Sequence, residues 1–382
     1  MDFELAKNIV DQAGSEMLGN PNNGWIGTSV GRKNQGPITG RGDFCVTVYV
    51  VKKWSSRNPM TPSAETAYEV VKQEAFRLFY VNIVPKDVDV VEVGDEFRAQ
   101  SYTGSDHANP PAANTQKWFL SLGPGIGIAN PVGTYPQTLD GGTIAFFLKD
   151  DNKNNYLVSC NHVIGGARGD DGSPVPADVV VQPATSDLNG RDISTLPTTA
   201  DIDREFGIAD LVAFVPMSFV TPGAAPSPTN IVDAAMAALR SLPTRKVDSL
   251  SRIPYCGKIL GVAAPYEWDT VENAVKGSPH IYKVGRTTAF SSGTVTGVNG
   301  KTTVVFPTGT ASFTNQLIIR RSADNTGPFS LQGDSGSPVI TEEHKIAGMI
   351  FAGGPSRSLA NPFDVVLSEL ARVSGLGLSL VI

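Results

Sequence analysis

Phe329 to Ile340 reads FSLQGDSGSPVI. The stretch places Gly333, Asp334, Ser335, Gly336, Ser337 and Pro338 side by side and then turns apolar. A tight turn built from such residues, with Asp and Ser satisfying local backbone groups, accounts for the composition. It does not by itself explain why the turn abuts a strand-like apolar run. The alternative is chemical: Ser335 is held out on a constrained loop as a nucleophile. A serine hydroxyl is weak at neutral pH, so that reading demands a base within hydrogen-bond reach and donors for a developing oxyanion.

The chain has only four histidines. His107 lies in a polar, Pro-bearing stretch, His280 follows Ser-Pro, and His344 follows two glutamates in a hairpin-like turn. His162 differs: in YLVSCNHVIGG an apolar run enters a turn of small residues with the imidazole at the strand's end. The third requirement is a carboxylate that holds the imidazole in one tautomer. Asp210, in GIADLVAFVP, is flanked by apolar residues where a charge needs a partner. Asp201 and Asp203, in TTADIDREFG, are more polar rivals.

Whole-chain properties narrow the classes. At 382 residues and 41% hydrophobic content the chain is long enough for two or three domains with sizeable cores. Net charge is −6, which disfavours nucleic acid as a partner, since phosphate binding calls for a basic face. With 39 Gly, 27 Pro and only 18% charged residues, the composition is β-rich. The cysteines Cys45, Cys160 and Cys256 are odd in number and far apart, so a disulfide framework is not expected and a reducing compartment is favoured. No basic segment precedes an apolar run at the start, and no apolar stretch reaches membrane-spanning length. The cytoplasm is the expected location, with no membrane contact. No His/Cys/Asp group has metal-ligand spacing in the sequence, so no metal or other cofactor is expected. GPGIGIAN at 123–130 lacks the helix and lysine of a phosphate loop, and Arg41-Gly42-Asp43 reads as a turn.

Organisation follows from periodicity. Residues 1–100 read as a small α+β domain: helices over about 2–18 and from Ser63 to Phe79, with strand-like runs between and after them. Residues 101–119 read as a linker. From 120 to 382, short β-type runs alternate with turn signals, interrupted by expected helices at 229–242, after Pro228, and at about 363–375, after Pro362. Two clusters of strands point to two β-units.

In order and context, CNHVI (160–164), IADLVAF (208–214) and GDSGSPV (333–339) resemble the chymotrypsin-like (trypsin-like) serine proteases, including bacterial and plant members with an extra N-terminal domain. KVGRTT followed by SGTVTGV adds to the likeness, which spans about 120–375. The resemblance implies a mainly β fold of two six-stranded antiparallel barrels with the site between them. It implies a triad of His162, Asp210 and Ser335, and an oxyanion hole from the N–H groups of Gly333 and Ser335. Phe329, six residues before the serine, would floor the pocket for the substrate side chain, which argues against a Lys or Arg preference. Phe351, Ala352 and Gly353 would form the strand that pairs with substrate backbone. The implied activity is hydrolysis of a protein or peptide through an acyl-enzyme.

Two departures stand out. Ser337 takes the place of a usual glycine. No short amino-terminal sequence precedes the region to pair with the aspartate before the serine, Asp334, as it does in activated members. Arg286 is one candidate partner; otherwise the oxyanion loop would await a regulatory protein or self-assembly to order it. An inactive protease-fold scaffold is the competing reading. An α/β-hydrolase is excluded by chain order, which there runs Ser, acid, His.

Overall fold

In the computed structural model of the chain the described residues are 1–18, 25–32, 44–51, 64–79, 81–93, 97–99, 102–103, 119, 121–131, 140–169, 178–187, 199–219, 229–242, 246–247, 250–254, 256–264, 280–322 and 327–382. Most of the expected linker, His107 and the Arg41-Gly42-Asp43 turn lie outside them.

The first β-unit begins with β6 (Gly127–Ile128), β7 (Asp140–Thr143), β8 (Phe146–Lys149) and β9 (Asn155–Ser159). It continues through β10 (Val179–Val181), helix α3 (Thr199–Phe206), β11 (Gly207–Phe214) and β12 (Ala235–Leu239). Its six-stranded sheet runs β10-β11-β12-β9-β8-β22, where β22 is Ser379–Leu380. The pairing of Gly127 with Thr143 and a bridge from Ala129 to Val181 carry the hydrogen bonding from β10 round to β7.

The second β-unit contains β16 (His280–Gly285), β17 (Ala289–Phe306), β18 (Gly309–Arg321), β19 (Pro338–Thr341), β20 (Lys345–Gly353) and β21 (Ser358–Pro362). These strands form a closed circuit of antiparallel pairings, because β16 pairs with both β17 and β19. Between the units in sequence, β13 (Arg252–Ile253) pairs with β14 (Gly257–Lys258), and β15 (Gly261–Val262) pairs with β20 of the second unit. The closing helix α4 (Phe363–Ser374) starts after Pro362 as expected and ends where Gly375 takes φ 69°. Phe363 packs edge-on against Phe146, 5.0 Å between centroids, which ties this helix to the first unit.

The amino-terminal segment has its expected helices, α1 (Phe3–Leu18) and α2 (Ala64–Phe79), and strands β1 (Trp25–Arg32), β2 (Phe44–Val50) and β3 (Val88–Glu92). Ala6, Ile9, Val10 and Ala13 of α1 repeat at helical spacing and are buried. These strands do not stand apart as a separate sheet: β1 pairs antiparallel with β17, Gly27 opposite Thr302, so they extend the second unit. Two short strands, β4 (Arg98–Ala99) and β5 (Tyr102–Thr103), lead on from them.

One expected element is of the wrong type. The stretch 229–242 contains a strand where a helix was expected: β12 lies between β11 and β9. Alanine favours helices, but the preference is a few tenths of a kcal/mol per residue, and sheet pairing with burial on both faces overrides it. Ala235, Met236 and Ala237 are all fully buried.

Candidate active site

His162 sits in a single wide helical turn, Asn161–Gly165, directly after β9. The turn is pinned from beneath: Asn161 Nδ2 donates to the carbonyls of Arg168 and Val215, both at 2.9 Å. Gly166 closes it with φ 75°, a left-handed conformation suited to glycine. Ser335 comes from the other β-unit, on the loop before β19, and its Oγ lies 2.9 Å from His162 Nε2. The two residues singled out in the sequence therefore meet where the two units face each other.

The acid does not come from the expected place. Asp210 faces solvent from the middle of β11, its side chain 58% exposed, and pairs with Arg240 at 2.5 Å. Asp203 is held by the same Arg240, and Asp201 by Arg204 at 2.8 Å. Asp233 is the carboxylate against the imidazole. Its Oδ2 bonds His162 Nδ1, and its Oδ1 accepts the backbone N–H of His162 at 3.1 Å. Asp233 is fully buried. Its own backbone is fixed by buried Asn361 on β21, through mutual bonds of 3.3 Å to the side-chain amide. The sequence hid Asp233 inside the stretch read as a helix. The available signal was an acid immediately before an apolar run, which DAAMAAL shares with ADLVAF.

The serine hydroxyl has one proton and two acceptors. With Nδ1–H given to Asp233, Nε2 is the imidazole's acceptor. Phe351 O is the rival, at 2.9 Å from Oγ. Phe351 is fully buried on β20, and its ring meets Phe313 at 4.8 Å between centroids. Phe306 stands edge-on to the His162 ring at 5.6 Å, and Phe219 meets Phe306 edge-on at the same distance. This aromatic wall lowers the local dielectric around the imidazole and strengthens its hydrogen bonds.

Two peptide planes in the nucleophile loop are clamped. Gln332 O accepts from Thr287 Oγ1 at 2.6 Å, and Asp334 O accepts from Ser337 N–H at 2.8 Å. In a trans peptide the N–H points opposite its carbonyl. The N–H groups of Gly333 and Ser335 are thus aimed away from these anchors. Gly333 has φ 94° and Gly336 φ 90°, so neither position suits a side chain. A Cβ on Gly336 would also collide with Thr143 O.

Asp334 has its partner within the chain, and it is not Arg286. Lys283 Nζ lies 3.1 Å from Asp334 Oδ2, both side chains fully buried. Oδ1 accepts the N–H of Thr287 (2.9 Å) and Thr288 (3.2 Å), while Oδ2 accepts Leu331 N–H (2.9 Å) and Thr288 Oγ1 (2.7 Å). Burial lowers the lysine's pKa, and the nearby aspartate opposes that shift. Arg286 instead binds Asp187, through Nε at 2.8 Å, and Ser186 Oγ, at 2.7 Å.

The expected pocket residues divide. Phe329 is 3% exposed, and its ring lies in an apolar cluster with Ile281, Val295 and Val339. A Cβ built on Gly293 would sit 2.9 Å from that ring. Phe329 therefore packs the interior and does not floor an open pocket. Ala352 and Gly353 lie on β20 next to Phe351, and β4 pairs with them.

Cys160, His162 and Asp233 present atoms within 4.8 Å of one another, a convergence invisible in sequence spacing. Their chemistry does not fit a metal. Burial holds the Cys160 thiol well above the ordinary thiol range, and its Sγ–H points to Ile350 O at 3.3 Å. Both imidazole nitrogens are already engaged.

Two β-units with His162 and Asp233 from the first and Ser335 from the second define a chymotrypsin-like serine-protease fold. No protein-family model matches the chain, and no curated protein matches it by sequence. Among solved structures it is similar to Thermobifida fusca protease A: 16% identity, 68% of this chain and 100% of that chain covered, TM-score 0.39. It is likewise similar to Nocardiopsis protease, at 16% identity over 69% and 100% of the chains with TM-score 0.38. For Cellulomonas bogoriensis chymotrypsin the values are 16%, 68%, 100% and 0.37.

Proposed function

We propose that this chain is a serine endopeptidase. The observation that carries the reading is His162, which links the buried Asp233 carboxylate on one side and Ser335 Oγ, at 2.9 Å, on the other. Ser335 Oγ attacks the carbonyl carbon of a peptide bond while its proton passes to His162 Nε2. Asp233 fixes the tautomer and stabilises the imidazolium. The oxyanion is met by the N–H groups of Gly333 and Ser335. Collapse of the tetrahedral adduct breaks the C–N bond, and the imidazolium proton goes to the departing amine. Water then enters by the same route in reverse, with His162 as base, and releases the acid and the free Ser335 hydroxyl.

The substrate class is protein or peptide. The side chain six before the serine, Phe329, is apolar and packed into the interior, so that position brings no carboxylate to a substrate side chain, and a Lys or Arg preference is not expected. The Lys283–Asp334 pair supports an oxyanion loop set within the chain, with no need for a newly cut terminus or a partner to order it.

The test is covalent labelling with a serine-directed fluorophosphonate, alongside hydrolysis of fluorescein-casein. Wild-type protein should label and cleave, while Ser335→Ala and His162→Ala should do neither. Absence of labelling in wild type, and in variants that expose the site, would leave a protease-fold binding protein as the better reading.

A further inference from the structure

The site's accessibility conflicts with its chemistry. Ser335 and Asp233 are fully buried, and His162 is 9% exposed. A polypeptide cannot reach a nucleophile with no accessible surface, so something covers it. We propose that β4, Arg98–Ala99, is an internal competitor that occupies the strand edge on which a substrate peptide would pair. The proposal rests on the peptidase reading above and concerns the regulation of that same site.

Four placements carry it. First, β20 is the strand beside the nucleophile, since Phe351 O lies within hydrogen-bond distance of Ser335 Oγ, at 2.9 Å. One edge of β20 is taken by β21, with Ala352 opposite Leu359 and Gly353 opposite Ser358. The other edge pairs antiparallel with β4, Ala352 opposite Ala99 and Gly353 opposite Arg98. An extended peptide added to that edge would use the same backbone groups. Second, β4 is held from its other side by the end of β17: Val305 N–H donates to Phe97 O at 2.9 Å, next to the Phe306 that faces His162. Third, the approach to β4 is anchored. The Phe97 ring is fully buried, 6.2 Å from Tyr49 between centroids, and Ser356 Oγ donates to Val93 O at 3.1 Å. Fourth, the chain then reaches β5, whose Tyr102 and Thr103 pair with Gly141 and Asp140. Two residues beyond Gly141, Thr143 N–H bonds Ser335 O at 2.8 Å. β4 thus pairs with the substrate edge on one side of the nucleophile, and β5 pairs with the strand that supports the nucleophile on the other.

The competitor is short. Among the described residues it has two residue pairs on β20, and single cross-strand pairs contribute about 0.2–1 kcal/mol each. A strand held by so few pairs can be displaced by a peptide that competes for Ala352 and Gly353.

Ala99→Pro removes a backbone N–H that faces β17, on the same edge as Phe97 O, so it loosens β4 where β17 holds it and with that its pairing on β20, whereas Ala99→Val keeps strand geometry. In the full chain, Ala99→Pro should raise the fluorophosphonate labelling rate and kcat/KM for casein by about tenfold, which corresponds to about 1.4 kcal/mol of lost competition. Ala99→Val should stay near wild type. A second readout needs no catalysis: fluorescein-casein binding to Ser335→Ala, followed by anisotropy, should tighten by a similar factor when Ala99→Pro is added. Arg98→Pro replaces Ala99→Pro if the latter fails to fold, as judged by near-UV circular dichroism. Equal casein binding and equal labelling with and without the proline overturn the proposal. If no variant labels or cleaves but the proline still tightens casein binding, the competitor is upheld and the peptidase reading falls.

Discussion

At the scale of the residue, two aspartates illustrate how chemistry depends on environment. Asp210 and Asp233 each sit in or before an apolar strand, and the local sequences are nearly interchangeable. Asp210 points to water and meets Arg240, while Asp233 is sealed behind His162. Exposed ion pairs of the first kind contribute little. In the proposed peptidase, a buried carboxylate that fixes the imidazole would contribute to every turnover. Asp233→Asn should lower kcat by about 10⁴-fold, the order reached when the orienting acid of a triad is neutralised. Asp210→Asn should leave kcat within a few-fold of wild type, and steady-state casein hydrolysis separates the two. Equal losses would return Asp210 to the mechanism. Ser335 and His162 were legible in the sequence because their turns make strong local demands on glycine and small residues. Asp233, Asn361 and Lys283 were not, because each owes its role to a strand brought alongside from far away in the chain.

At the scale of the element, amphipathic helices were readable and the alanine-rich strand was not. α1 and α4 announce themselves by apolar residues at helical spacing and by Pro362 and Gly375 at the ends of α4. β12 carries the residues of a helix, and only its position between two other strands makes it one of the sheet. The β1–β2 extension offers a test of how firmly an element is packed. Tyr49, on β2, donates or accepts a hydrogen bond with Ser29 on β1 at 2.9 Å, and burial pushes its phenol up to about 12 from 10.0. Between those values the unfolded chain has lost the proton and the native chain still holds it. Stability from this group is therefore intact below pH 10 and falls as pH rises towards 12. The full fall is on the order of 2–3 kcal/mol. Urea unfolding at stepped alkaline pH should show it in wild type, and Tyr49→Phe should flatten the dependence relative to wild type. Parallel pH profiles for the two would show that Tyr49 ionises in the native protein as it does in the open chain.

At the scale of the molecule, the site exists only because two β-units are held in register, and a buried ion pair does part of the holding. Arg286 follows β16 of the second unit, and its guanidinium reaches Asp187 and Ser186, just after β10 of the first. Its backbone N–H also meets Thr143 Oγ1 at 3.0 Å, on the strand that supports Ser335. Both charged side chains are almost wholly buried, at 2% and 5% exposure. Burial raises the Asp187 pKa, and Arg286 restrains that rise. Removing one partner leaves the other uncompensated, so Arg286→Met should lose about 3–5 kcal/mol at neutral pH. The pair Arg286→Met with Asp187→Leu should recover most of it, since well-packed apolar groups replace buried ion pairs at little loss. The sign of the pH effect follows. In Arg286→Met the native Asp187 binds its proton more tightly than the unfolded chain does, so that variant should regain stability as pH falls through the raised native pKa. The double variant should not show this gain. Urea denaturation of the four proteins at neutral and mildly acidic pH, with fluorophosphonate labelling of each, separates two roles. Recovered stability with recovered labelling means the contact only joins the units. Recovered stability without labelling means the charge pair also sets the register that brings Ser335 to His162.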